Sequence, residues 1–226
     1  MLMAPKDWKQ LIENTILQVE QGLIDTSRIN DAVYRILKVK YRAGLFDSSY
    51  QPKSLAQRAA TKLGAQQHRE IARQAVRESL VLLKNNQSVL PLKADSRVLI
   101  IGNGAEDISK QMGGWTLSWQ GDGNSDIDFP GATSVAEGIK DQLENNGGFT
   151  QIDPRAQLTA EQVKALSFDA VIAIFGERPY AESAGDRKDL SFDQIDSNLL
   201  RQIQAYHQAE IPTVSIFLTG RALSIN

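Results

Sequence analysis

The spacing of apolar and polar positions divides the chain into two stretches of different texture. Trp8, Leu11, Ile12, Thr15, Ile16 and Val19 recur at helical intervals, and Gly22 closes that segment. Asp25, Thr26 and Ser27 are N-cap candidates for a second helix. Its stripe of Ile29, Val33, Ile36, Leu37 and Tyr41 lies opposite Arg28, Arg35, Lys38 and Lys40, and Gly44 ends it. After the polar, Pro52-containing segment 47–53 a third helix is expected from about Gln66 to Glu78, with Ile71, Ala75 and Val76 inward. Ser79 to Leu83 reads equally as a buried strand or as the end of that helix.

From Val98 onward, short apolar runs alternate with amphipathic ones. Val98–Ile101, Val171–Phe175 and Pro212–Leu218 are the three strands the pattern predicts. Between them fall helices at Ser134–Asn145, Thr159–Leu166 and Asp193–Ala209; Thr159 with Gln162 makes a capping box. Such alternation implies an α/β fold with a mostly parallel sheet covered by helices on both faces. The chain stops soon after a strand, which suggests that the sheet continues beyond it.

Candidate chemistry gathers where strands give way to loops. The run Ala170–Phe175 breaks at Gly176 into Glu177, Glu182, Asp186 and Arg187, and the ends of strands are where open α/β sheets keep their functional groups. An ordinary solvated loop would read the same by itself. Gly102 and Gly104 form a G-x-G after a strand, but Glu106 and Asp107 stand where a pyrophosphate would sit, which argues against a dinucleotide loop. In Gly113–Asp122, Trp115 and Trp119 are four apart among glycines. This is a loop, not a helix, and one indole is expected on display while the other pins the loop. An indole offers a flat apolar face and one donor, suited to covering a sugar ring.

Composition narrows the classes. The chain has 226 residues, with 25 basic against 27 acidic side chains, so nothing electrostatic favours nucleic acid or an anionic membrane. No apolar run is long enough to span a bilayer. The absence of cysteine removes disulfides and thiolate metal sites, and two histidines, His68 and His207, are too few for a histidine cluster. No metal or organic cofactor is expected. The N-terminal MLMAPKDWKQ carries no signal-peptide core.

Taken together, four segments resemble glycoside hydrolase family 3. Arg28–Asp47 resembles the family's last barrel helix and its exit, and Glu78–Leu92 the entry to its second domain. Gly113–Gly121 and Gly176–Asp186 are similar to its exo-acting β-glucan glucohydrolase branch. The resemblance implies terminal helices of a (β/α)8 barrel over 1–46, a linker over 47–65, and a six-stranded α/β sandwich domain over 66–226. It also implies a fragment, with the barrel and its nucleophilic aspartate lying before Met1. The family's general acid/base then falls on Glu182, and the indole covering the leaving-group sugar on Trp119. Trp115, Glu177 and, with differing spacing in the family, Arg187 join Trp119 as substrate-binding candidates. Glu177, beside the strand end, suits holding the loop better than reaching across it. A retaining enzyme needs a nucleophile and a proton donor about 5–5.5 Å apart. The donor's pKa must be raised by burial or by the nucleophile's charge. The implied activity is release of glucose from non-reducing ends of β-linked glucans, at a periplasmic or secreted location. A non-catalytic carbohydrate-binding or interaction module on the same fold is the alternative.

Overall fold

The computed structural model describes residues 2–49, 57, 59, 60, 62–192 and 195–225. Residues 50–56, 58 and 61 of the linker expected at 47–65, and Asp193 at the expected start of the last helix, lie outside them. By its contacts the chain divides into two compact units, Met1–Val81 and Leu82–Asn226.

The first unit is helical, and three of its helices have described bounds. Helix α1 spans Trp8–Glu20, and α2, Thr26–Arg42, is capped by Asp25, whose carboxylate accepts from the Ser27 amide at 2.7 Å. Gly22 and Gly44 follow them in the left-handed conformation that ends helices without steric cost. Helix α3 is Gln66–Ser79, which falls in this unit by its contacts, whereas the family resemblance implies a sandwich domain from residue 66. Leu80–Leu83 form neither strand nor helix and are largely exposed. None of the described side chains in 2–81 is buried.

The second unit is built on a parallel sheet. Strand β1 is Arg97–Ile101, β2 Phe149–Asp153, β3 Ala170–Gly176 and β4 Thr213–Leu218, in the spatial order β2-β1-β3-β4. Helices α4 (Ile108–Gln111), α5 (Val135–Glu144), α6 (Ala160–Ala165) and α7 (Ser197–Gln208) connect them. The period of two sorts each inner strand between faces. Leu99, Ile101, Val171, Ala173 and Phe175 pack with α6, α7 and Tyr206 on one side. Val98, Ile100, Ile172 and Ile174 pack with Ala136 and Leu143 of α5 on the other. Every residue of β3 is buried, as a central parallel strand requires. Each fully buried aliphatic side chain contributes about 1.5–3 kcal/mol of transfer free energy.

Strand β2 is the element the sequence pattern misses. FTQID has only Phe149 and Ile152 as apolar positions, and it lies at the sheet edge, where one flank is left unpaired. Its register, with Val98 opposite Thr150 and Ile100 opposite Ile152, comes from long-range pairing with β1. The glycines after β1 serve packing, in keeping with the rejected dinucleotide loop. Gly102 has φ +98°, and a Cβ there would lie 2.2 Å from the Ile174 carbonyl oxygen. That closeness lets the Gly104 amide donate to the same carbonyl at 2.9 Å, so the loop crosses directly over β3.

Candidate active-site loop

Strand β3 delivers its chain to the carboxyl edge of the sheet beside the end of β4. At Gly176 a Cβ would lie 2.0 Å from the Leu218 carbonyl oxygen, so only glycine lets the two strand ends approach this closely. Next along, Glu177 is 4% exposed. Its carboxylate accepts from Thr219 Oγ1 at 2.6 Å and from the Tyr180 hydroxyl at 3.2 Å, and Arg221 Nε stands 3.6 Å from its other oxygen. A buried carboxylate is tolerable only when donors replace its water, and three side chains do so here. Lys110, from α4, donates to the Gly176 carbonyl at 3.2 Å, and burial pulls its ammonium below the ordinary lysine range against the opposing pull of Asp107.

Glu182 behaves differently. Its side chain is exposed, and Oε2 accepts from the indole Nε1–H of Trp115 at 3.2 Å. Its own backbone amide, then the Trp115 indole, and to a smaller extent the Trp119 indole hold this carboxyl below the ordinary glutamate range. A solvated carboxylate ringed by N–H donors favours its charged form. The raised pKa that a proton donor requires is therefore not a property of Glu182 in this chain.

The tryptophan loop packs on the glutamate loop through a side-chain amide. Gln120 accepts from the Ala181 amide at 2.8 Å and donates to the Glu182 carbonyl at 3.0 Å, so one side chain grips the backbone on both sides of the Ala181–Glu182 peptide. Gly114 lies against the Tyr180 carbonyl, where a Cβ would come within 2.3 Å. Trp115, Leu117 and Ser183 all hold positive φ. Such conformations cost on the order of 1–3 kcal/mol each and persist only where surrounding contacts enforce them. Here the Trp115 amide donates to the Trp119 carbonyl at 2.9 Å and closes the loop.

Both indoles are on display, at 70% exposure for Trp115 and 50% for Trp119. The expectation that one would be a core residue fails, because the backbone glycine contacts and Gln120 pin this loop and no indole is needed for it. Their ring centroids are 6.3 Å apart at an angle of 45°. Arg187 donates to the backbone carbonyls of Asp189 and Ser191, stitching the following stretch to itself. The loop therefore brings Trp115, Trp119 and Glu182 together, while Glu177 lies beneath them in a polar cluster of its own.

Sequence reasoning misses three of the residues that shape the site, Gln120, Thr219 and Arg221, and credits Tyr180 only with stiffening the Glu182 loop. Thr219-Gly220-Arg221 follows an apolar strand just as Glu177 does, and that position at a strand's carboxyl end is the signal that points to it. Among the described residues there is no cluster of three metal-ligating side chains, and no helix is long and apolar enough to cross a membrane.

These features define an open parallel α/β domain whose polar groups collect at the carboxyl ends of β3 and β4. Residues 80–226 match the model of the glycosyl hydrolase family 3 C-terminal domain. The chain belongs to glycoside hydrolase family 3. It is 42% identical, with a TM-score of 0.82, to a mutant of the exo-1,3/1,4-beta-glucanase of a Pseudoalteromonas species, covering 98% of this chain and 35% of that one. It is 34% identical to the lysosomal beta glucosidase of Dictyostelium discoideum over 82% of this chain and 24% of the relative. It is also 29% identical to the periplasmic beta-glucosidase of Salmonella typhimurium, over 92% and 30% respectively. The chain thus spans about a quarter to a third of the length of these proteins.

Proposed function

We propose that this chain supplies the acid/base half of a retaining, exo-acting β-glucosidase or β-glucan glucohydrolase, with Glu182 as the group that moves the proton. The observation that carries the reading is the setting of Glu182: an exposed carboxylate on a braced loop at the sheet's carboxyl edge, bonded to one of two exposed indoles. In the first step, protonated Glu182 gives its proton to the glycosidic oxygen as the C1–O bond breaks. A second carboxylate, from the barrel domain of the complete protein, bonds to C1. In the second step Glu182, now ionised, takes a proton from the water that attacks C1 and releases the nucleophile. For the first step its pKa must rise above the value it has here. Burial beneath the barrel and the negative charge of the nucleophile both act in that direction.

Trp119, with Trp115 beside it, would cover the sugar on the leaving-group side, and Arg187 would border the same subsite. The substrate would be a β-linked glucan or oligosaccharide, and the enzyme would work outside the cytoplasm, as the periplasmic and lysosomal names of two relatives suggest. The test is Glu182→Gln in the complete enzyme. Its kcat on an unactivated oligosaccharide should fall by roughly 10²–10⁴, the usual worth of a positioned acid/base. A variant that kept the parent rate would remove Glu182 from the mechanism.

A second reading, a carbohydrate-binding module, draws on the exposure of both indoles. Calorimetric titration of the chain with β-linked gluco-oligosaccharides separates the two. Binding that disappears in Trp119→Ala favours the module, and no binding at high millimolar sugar counts against it.

A further inference from the structure

We infer that Arg221 is a positioning residue for the Glu182 loop, and that buried Glu177 is the anion that holds its guanidinium in place. The inference rests on the proposed function only for what the positioned carboxylate does. The positioning itself follows from contacts. Arg221 Nε donates to the Tyr180 hydroxyl at 2.6 Å and faces Glu177 Oε1 at 3.6 Å. Its Nη1 donates to the Gly185 carbonyl at 2.6 Å, and its guanidinium carbon lies 3.8 Å from the centre of the Tyr180 ring. One side chain from the end of β4 therefore reaches both ends of the segment that carries Glu182: Tyr180 two residues before it and Gly185 three after.

The cluster is built to keep that guanidinium fixed. Tyr180 donates its hydroxyl proton to Glu177 and accepts from Arg221, so the hydroxyl's orientation is set from both sides. A Cβ at Gly185 would lie 2.5 Å from Tyr180 Cδ2, and one at Gly220 would lie 2.8 Å from the Tyr180 hydroxyl. The ring is thus enclosed by backbone from both loops. Within the segment, the Gly185 amide donates to the Ala181 carbonyl at 2.8 Å, which closes the turn on which Glu182 and the positive-φ residue Ser183 sit. A lysine in place of Arg221 would retain the charge facing Glu177 but could neither stack on Tyr180 nor fork to Gly185. That difference separates a positioning role from mere neutralisation of a buried carboxylate.

The experiment uses the 226-residue chain labelled with ¹⁵N. It has three tryptophans, so its indole N–H signals are few and can be assigned by substitution. In Arg221→Lys the amides of Ala181 and Gly185 should exchange with solvent at least about tenfold faster, while amides inside β3 keep their protection. The Trp115 indole signal should also lose most of its response to the titration of Glu182. Tyr180→Phe, which keeps the ring and removes the hydroxyl, should reproduce both effects, and it carries the test if Arg221→Lys does not fold. A folded Arg221→Lys with unchanged exchange at Ala181 and Gly185 and an unchanged Trp115 titration overturns the inference. These readouts require no turnover, so they stand apart from the Glu182→Gln rate, which alone decides the acid/base assignment.

Discussion

At the scale of single residues, two glutamates five positions apart are divided by their surroundings. Glu177 is withdrawn among Thr219, Tyr180 and Arg221, and Glu182 is left in solvent under an indole N–H. Glu182's folded pKa is lowered, so its bonds stabilise the fold above the ordinary glutamate pKa. That contribution is lost as pH falls through the lowered value. Trp115→Phe removes one of the two main causes and should move the Glu182 titration upward toward the ordinary value. Carboxyl-detected NMR titration would read this, and an unmoved midpoint would mean that the backbone amide alone sets it. Of this site, Glu182, Glu177 and both tryptophans were legible in the sequence because acidic and aromatic residues beside glycines stand out along a strand–loop boundary. Arg221 and Gln120 were not. The contacts of Arg221 with Tyr180 and Gly185, and of Gln120 with Ala181 and Glu182, span 36 to 62 residues of sequence, and only the pairing of β3 with β4 and the contact of the two loops bring them together.

At the scale of elements, legibility followed burial and caps. Strands β1, β3 and β4 announced themselves as apolar runs because helices cover both faces of the sheet, and α5, α6 and α7 showed a helical period with polar starts. Edge strand β2 did not, since a strand paired on one side can carry Thr150, Gln151 and Asp153 at little cost. One cap invites measurement. Ser134, 4% exposed, accepts from the Glu137 amide at 3.1 Å, and Glu137 returns a bond to the Ser134 amide at 2.8 Å. Ser134→Ala leaves the Glu137 amide without its capping partner and should cost about 1 kcal/mol. The expected result is a lower urea midpoint for the sheet domain with an unchanged Trp115–Glu182 titration. The cap lies on the α5 side and its loss should not reach the site.

At the scale of the molecule, the contrast lies between a unit with a buried core on both sheet faces and one, residues 2–81, in which no described side chain is buried. The site loop belongs wholly to the first kind, which is why it is braced although exposed. Exposure also limits it. A glutamate held below its ordinary range by N–H donors favours the charged form at neutral pH, the opposite of what a proton donor requires. Double displacement needs, besides that proton, a nucleophilic carboxylate about 5–5.5 Å away across the sugar, and the proposed source of that group is the barrel of the complete protein. The 226-residue chain by itself should therefore hydrolyse an aryl β-glucoside no faster than a Glu182→Gln control, as followed by release of the phenol at neutral pH. Lowering the pH toward the Glu182 midpoint should not rescue it, since protonation supplies the acid but not the nucleophile. A chain that turned over at the rate of a complete β-glucosidase would place both carboxylates within these residues, and would overturn the division of labour between domains on which the proposed mechanism stands.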